Sequence, residues 1–159
     1  MQINKTSVTI LMLLFLLQMR VNSQKQGDDL LGRYRLPNQL EIEIYPKTDS
    51  EGMKVYEGKI VALNNFEKGQ IKDENNPDRG ERHKQLLGKV IVKGLQYNST
   101  IAQWTDGSMY APEKGITVNL KVKSVSDTAA IAEASKLFFS KTVTWKKSNP
   151  SVELQRDNQ

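Results

Sequence analysis

Cysteine is missing from all 159 residues, which excludes disulfides, thiolate zinc sites and cysteine nucleophiles. Histidine occurs once, at His83. A catalytic triad or a His-based metal centre needs partners that the spacing does not offer, so His83 reads as an exposed residue near a helix end. Aromatic residues make up only 7% of the chain, so each Trp and Tyr carries weight in packing. A nucleophile elbow is also missing: Asp106-Gly107-Ser108-Met109-Tyr110 is not Gly-x-Ser-x-Gly. No apolar run reaches the ~20 residues that a membrane-spanning helix needs. No strand-helix-strand spacing marks a parallel sheet, and no internal repeat is evident.

The first 23 residues read as a secretory leader. Lys5 supplies a basic start, Val8 to Leu17 form a short apolar run, and Val21-Asn22-Ser23 offers a cleavage site. The expected organisation is a signal peptide at 1–23, one β-rich domain at 24–147, and a polar, disordered tail at 148–159. The expected location is therefore exported, periplasmic or extracellular, with no stable transmembrane segment after cleavage. Cleavage removes Lys5 and Arg20, leaving 21 basic against 18 acidic residues, so the net charge falls from +5 to +3. Such an excess does not imply nucleic acid, but it is compatible with an anionic surface.

Hydrophobic periodicity is that of strands. Leu40, Ile42 and Ile44 alternate with Glu41 and Glu43, and Ile116, Val118, Leu120 and Val122 alternate with polar residues. Further strands are expected at Gly32–Leu36, Met53–Leu63, Lys89–Gln96, Ile101–Thr105 and Lys141–Lys147. Tyr34 with Leu36, and Val143 with Trp145, share inner faces. Thr128–Ser135 is rich in alanine and helix-prone, yet its surroundings favour a strand. Pro37-Asn38, Pro46 to Gly52, Asp106-Gly107 and Ser126-Asp127 read as turns. In Trp104–Gly115, the expected arrangement is a corner: Trp104 ends a strand, Asp106-Gly107 turns, and Pro112 to Gly115 launches the next. Asn64 to Gly88 is a long polar insertion, in which Asn76 as N-cap and Pro77 at the first helical position predict a short helical turn. About eight short strands with tight turns predict an all-β, antiparallel barrel or sandwich.

Several motifs in order resemble the bacterial domain of unknown function 2147 family. They are Gly32-Arg33-Tyr34, Glu41 to Tyr45, Tyr56 to Ile60, Lys72 to Asp78, Leu86-Leu87-Gly88, Trp104 to Gly115 and Thr144-Trp145. The resemblance implies an exported, lipocalin-like barrel of about eight strands. The chain departs from the pattern at Tyr110-Ala111-Pro112, where the family shows Tyr-Asp-Pro. Glycines expected near Ala134 and Ser140 are also missing.

An eight-stranded barrel can hold one small ligand or be filled by its own side chains. Trp104 and Tyr110 are the leading candidates to line a cavity; core packing competes at both and is preferred for Trp104. Tyr56, Tyr45, Asn76 and Arg82 complete the expected ligand-binding set. The oxygens of Asp73 to Asp78 invite a calcium site, but the EF-hand spacing is missing, and turns and caps use the same residues. No metal or cofactor is expected. The basic groups Arg79, Arg82, Lys84, Lys89 and Lys93, and Lys136, Lys141, Lys146 and Lys147, form solvated surface unless they converge on an anionic partner. The expectation is a non-enzymatic domain binding a small apolar or amphiphilic ligand. The alternative is an envelope protein-interaction module that uses the 64–88 insertion. A third class, a hydrolase, would require two close carboxylates with opposed pKa shifts.

Overall fold

Alternation of apolar and polar side chains builds eight antiparallel strands, each pairing with its neighbour in sequence. They are β1 (Gly32–Arg35), β2 (Glu41–Thr48), β3 (Lys54–Ala62), β4 (Val90–Asn98), β5 (Gln103–Ala111), β6 (Ile116–Val125), β7 (Ala129–Lys136) and β8 (Phe139–Lys147). β8 returns to β1, so the sheet closes into a barrel. That closure is short, resting on Tyr34 opposite Lys147 and Arg35 opposite Lys146. The computed structural model describes residues 26–148. The leader expected at 1–23 and nearly all of the tail expected at 148–159 lie outside the described residues. Among the described residues the named helical elements are three-residue 3₁₀ turns at Asp28–Leu30, Phe66–Lys68 and Arg79–Glu81, the first preceded by helical Gln26 and Gly27. No helix among the described residues is long and apolar enough to cross a membrane.

The alanine-rich segment is a strand because pairing on both edges outweighs local helix propensity. β7 is hydrogen-bonded to β6 and β8, with Ala130 opposite Trp145 and Ala132 between Val122 and Val143. Both alanines are buried, and their small side chains leave room beside the indole.

The Trp104–Gly115 window differs from its expected form. β5 runs unbroken from Gln103 to Ala111, so Asp106-Gly107 is not a turn. It is a bulge, with a register shift against β6 between Trp104 and Gly107 and Asp106 in the left-handed region at φ 61°. Only the residues after Ala111 reverse the chain. Gly107 is needed where it stands, because a Cβ would sit 2.6 Å from Leu95 Cδ2. Likewise β2 continues through Pro46 to Thr48, narrowing the expected hairpin loop.

The barrel has two unlike ends. At one, residues 26–31 fold across the opening. Trp104 Nε1 donates to the Gly27 carbonyl at 2.9 Å, and Tyr56 donates to Asp28 at 3.0 Å. Lys54 pairs with Asp28 at 2.6 Å, Tyr34 donates to the Leu30 carbonyl, and Leu30 itself is fully buried. This end is closed and its interior is filled, by Tyr34, Ile42, Ile44, Tyr56, Ile60, Val92, Leu95, Trp104, Leu120 and Val122. Burial raises the Tyr34 hydroxyl pKa to about 12, with the charge of Asp29 adding to it.

Candidate ligand-binding cavity

The other end is hollow. The β1–β2, β5–β6 and β7–β8 connections surround the mouth of a cavity of about 740 Å³, within the roughly 300–1,000 Å³ typical of small-molecule sites. Its wall is apolar: Leu36, Met109, Ile116, Val118 and Val143, with the small Ala111 and Ala134 between them. Trp145 reaches it from the buried core and marks the boundary between the filled and hollow halves. The indole leans on Tyr34, ring centroids 6.1 Å apart and planes tilted by 59°. Polar groups gather at the rim, where Lys114, Lys136, Lys141, Asn38 and Ser140 are found with Glu113. Glu113 accepts from Asn38 Nδ2 at 3.2 Å and is the only acid of the lining. Ala111, which replaces the aspartate of the family pattern, falls on this lining, as do Ala134 and Ser140, near which the resemblance implies glycines.

None of the six residues expected from sequence to bind ligand lines this cavity. They divide into three structural groups. Trp104 and Tyr56 lie at the closed end, bonded to the segment that seals it. Burial and the hydrogen bond to Asp28 push the Tyr56 hydroxyl pKa upward. Tyr45 follows inward-facing Ile44 and donates to Glu57 at 3.0 Å, with Lys59 over its ring at 5.5 Å. Burial, then the bond to Glu57, raises its pKa to about 12.

Tyr110, Asn76 and Arg82 do meet, around a buried carboxylate. Tyr110 alternates with cavity-lining Met109 and Ala111, so its ring leaves the wall on the other side, toward the 64–88 insertion. The fully buried Asp73 accepts from Tyr110 at 2.7 Å, from Asn76 Nδ2 at 2.6 Å and from Lys89 at 2.7 Å. Arg82 Nε donates to the Asn76 carbonyl at 2.7 Å, and Lys89 also lies over the Tyr110 ring. Burial alone would raise the Asp73 pKa, but the bonds from Lys89, Asn76 and Tyr110 outweigh it and hold the carboxyl below its ordinary value. Of the oxygens that invited a calcium site, those of Asp73 are thus engaged by an ammonium, an amide and a phenol, while Asn76 Oδ1 and Asp78 Oδ1 accept from backbone N–H groups. Among the described residues no group of three His, Cys, Asp or Glu side chains could hold a metal ion.

The helical turn in the insertion begins later than expected. Asp78, not Asn76, is its N-cap and accepts from Gly80 N at 2.8 Å. Asn76 Oδ1 instead accepts from Asp78 N, which makes a turn leading into the cap. The insertion is also clamped to the β5–β6 turn. Asn75 Nδ2 donates to the carbonyls of Pro112 and Glu113, and the Asn75 carbonyl lies so close to Gly115 that no Cβ would fit there.

The basic groups do not converge. Lys84 pairs with Glu81 and Lys89 with Asp73. Lys136 on β7 and Lys141 on β8 stand at the cavity mouth, two and three strands along the sheet from β5.

A sequence profile for a family described as "Uncharacterized protein conserved in bacteria", domain of unknown function 2147, matches residues 32–147. No curated protein matches the chain. Among solved structures, the chain is similar to protein HP1028 from Helicobacter pylori, described as belonging to the lipocalin family. The TM-score is 0.64 at 19% identity, covering 80% of this chain and 87% of that one. At that identity the likeness speaks to fold alone.

Proposed function

The chain belongs to the bacterial domain of unknown function 2147 family, and from that premise and the barrel's shape we propose that it is an exported protein that binds a small amphiphilic molecule. The observation that carries this reading is the half-filled barrel: a mouth that opens onto about 740 Å³ walled by aliphatic side chains. Binding there is driven by removal of apolar ligand surface from water, at ~25 cal/mol per Å² before the costs of immobilisation. The rim favours a ligand with one polar end, because Lys114, Lys136 and Lys141 stand where such an end would emerge. The lipocalin-like fold supports the same reading. Export rests on the leader at 1–23 and predicts a mature N-terminus near Gln24.

Binding is favoured over catalysis. A carboxylate-pair hydrolase would place two acids in the cavity, and Glu113 stands there alone among the lining residues. Two measurements test the proposal. Native mass spectrometry of protein purified from its own host is expected to show a retained lipid-like mass. Titration with a fluorescent fatty-acyl probe is expected to saturate at one site and to fail in Ala134→Trp, which fills the hollow. Undiminished probe binding by a folded Ala134→Trp protein would reject the cavity as the site.

A further inference from the structure

The β7–β8 hairpin ends in three consecutive large apolar residues in water. Leu137, Phe138 and Phe139 are 89%, 98% and 81% exposed. Lys136 pairs with Phe139 across the hairpin, so Leu137 and Phe138 form a two-residue turn. Such turns favour Gly, Asn and Asp, which accept the left-handed backbone readily. Here Leu137 adopts it at φ 54°. Neither turn chemistry nor core packing accounts for these side chains: the turn penalises them and the core does not use them. Three adjacent apolar groups on a projecting tip mark an interaction surface, and strain of this kind is retained where function repays it.

What covers the tip is indicated by its shape and its charge. It projects from the end of a hairpin beside the cavity mouth, to which Leu137 and Phe139 also contribute. Lys136 and Lys141 flank it, and Lys114 stands across the same mouth; all three are exposed. Among the described residues none of the three makes an ion pair. An apolar tip ringed by free ammonium groups is complementary to a bilayer with anionic headgroups: the rings enter the acyl boundary while the lysines remain at the phosphates. We propose that the chain docks on an anionic lipid surface through Leu137–Phe139, with Lys136 and Lys141 as headgroup contacts. In that orientation the cavity opens toward the membrane, so an amphiphile can pass between bilayer and barrel without crossing bulk water.

The test exploits the lack of native cysteine. Phe138→Cys in the full chain, labelled with an environment-sensitive bimane, is compared with Asp127→Cys at the β6–β7 turn of the opposite end. Vesicles carry phosphatidylglycerol in phosphatidylcholine, with nitroxide quenchers at known depth. The expected result is a blue shift and deep quenching at position 138 and none at 127. Lys136→Glu/Lys141→Glu is expected to lower partitioning roughly thirtyfold or more, since each lysine near an anionic surface contributes about fivefold and reversal adds repulsion. Equal quenching at both positions, or none at 138, overturns the proposal. A blue shift that appears without vesicles and grows with protein concentration also overturns it, in favour of a second copy of the chain. Ligand retention is read without vesicles, so the docking and cavity readings can fail separately.

Discussion

Replacing Asp73 by Asn removes the charge at the hub that ties the 64–88 insertion to the barrel while keeping its shape. In the wild type this fully buried carboxylate accepts three side-chain donors, from Tyr110, Asn76 and Lys89. Breaking a buried ion pair by removing one partner costs ~3–5 kcal/mol, because the other charge is left unpaired. Lys89 retains 22% exposure of its side chain and can turn partly to water, so the expected cost lies at the low end, about 3 kcal/mol. With a urea slope of ~1.5 kcal/mol/M, that cost moves the unfolding midpoint by ~2 M. The pH dependence has a definite sign. The folded carboxyl lies below its ordinary pKa of 3.8, so its contribution is fully present above that value and is lost as pH falls through the folded value. The gap between wild type and Asp73→Asn should therefore be wide at pH 7 and should close in strong acid, where the wild type carries a neutral acid in the same place. Urea unfolding of both proteins across that pH range is the assay. A gap under ~1 kcal/mol at pH 7, or one that persists unchanged in acid, would refute the hub as described.

Tyr110→Phe leaves Asp73 with two of its donors and should cost ~1–3 kcal/mol in the same assay, with no effect on occupancy of the cavity. Gly115→Ala meets both a left-handed backbone at φ 62° and the Asn75 carbonyl; it should release the insertion, seen as faster amide exchange at residues 73–76. Gly107→Ala presses on Leu95 and should cost ~1–3 kcal/mol by thermal unfolding, part of it recovered when Leu95 is shortened to Val. Trp104→Phe deprives the Gly27 carbonyl of its donor; a loss of ~1–3 kcal/mol and earlier proteolysis within residues 26–31 are expected.

Much of the barrel was legible in the sequence because strands with one buried face must alternate. Ile116, Val118, Leu120 and Val122 were placed inward from periodicity alone, and two of them, Ile116 and Val118, form the cavity wall. The same rule put Val143 and Trp145 on one face, and both line the cavity. The site was less legible. Aromatic residues drew attention to Trp104 and Tyr110, but whether a side chain fills the barrel or borders a void depends on its height along the axis, which periodicity does not carry. Trp104 sits at the sealed end and Trp145 at the boundary of the hollow, with similar local sequence logic. Asp106-Gly107 was read as a turn because a bulge uses the same left-handed backbone as a tight turn; only the pairing with β6 separates the two. The cap moved from Asn76 to Asp78 because Asn76 is held by Asp73, a contact between side chains that spacing rules do not weigh. The signal that could have located the mouth was three large apolar residues in succession at a hairpin tip, against the alternation on either side.

The brief pairing of β1 with β8 has a kinetic consequence. Every other strand pair joins neighbours in sequence, and all but β3–β4, which the 64–88 insertion separates, are hairpins that can assemble locally and early. Joining Tyr34 to Lys147 and Arg35 to Lys146 encloses nearly all of the described residues in one loop, and that ring closure bears an entropic cost that no local contact offsets. The cylinder therefore cannot exist until the last strand has been delivered, and until then β1 and β8 present free backbone edges. Whatever binds the finished barrel meets it only after its two ends have found each other.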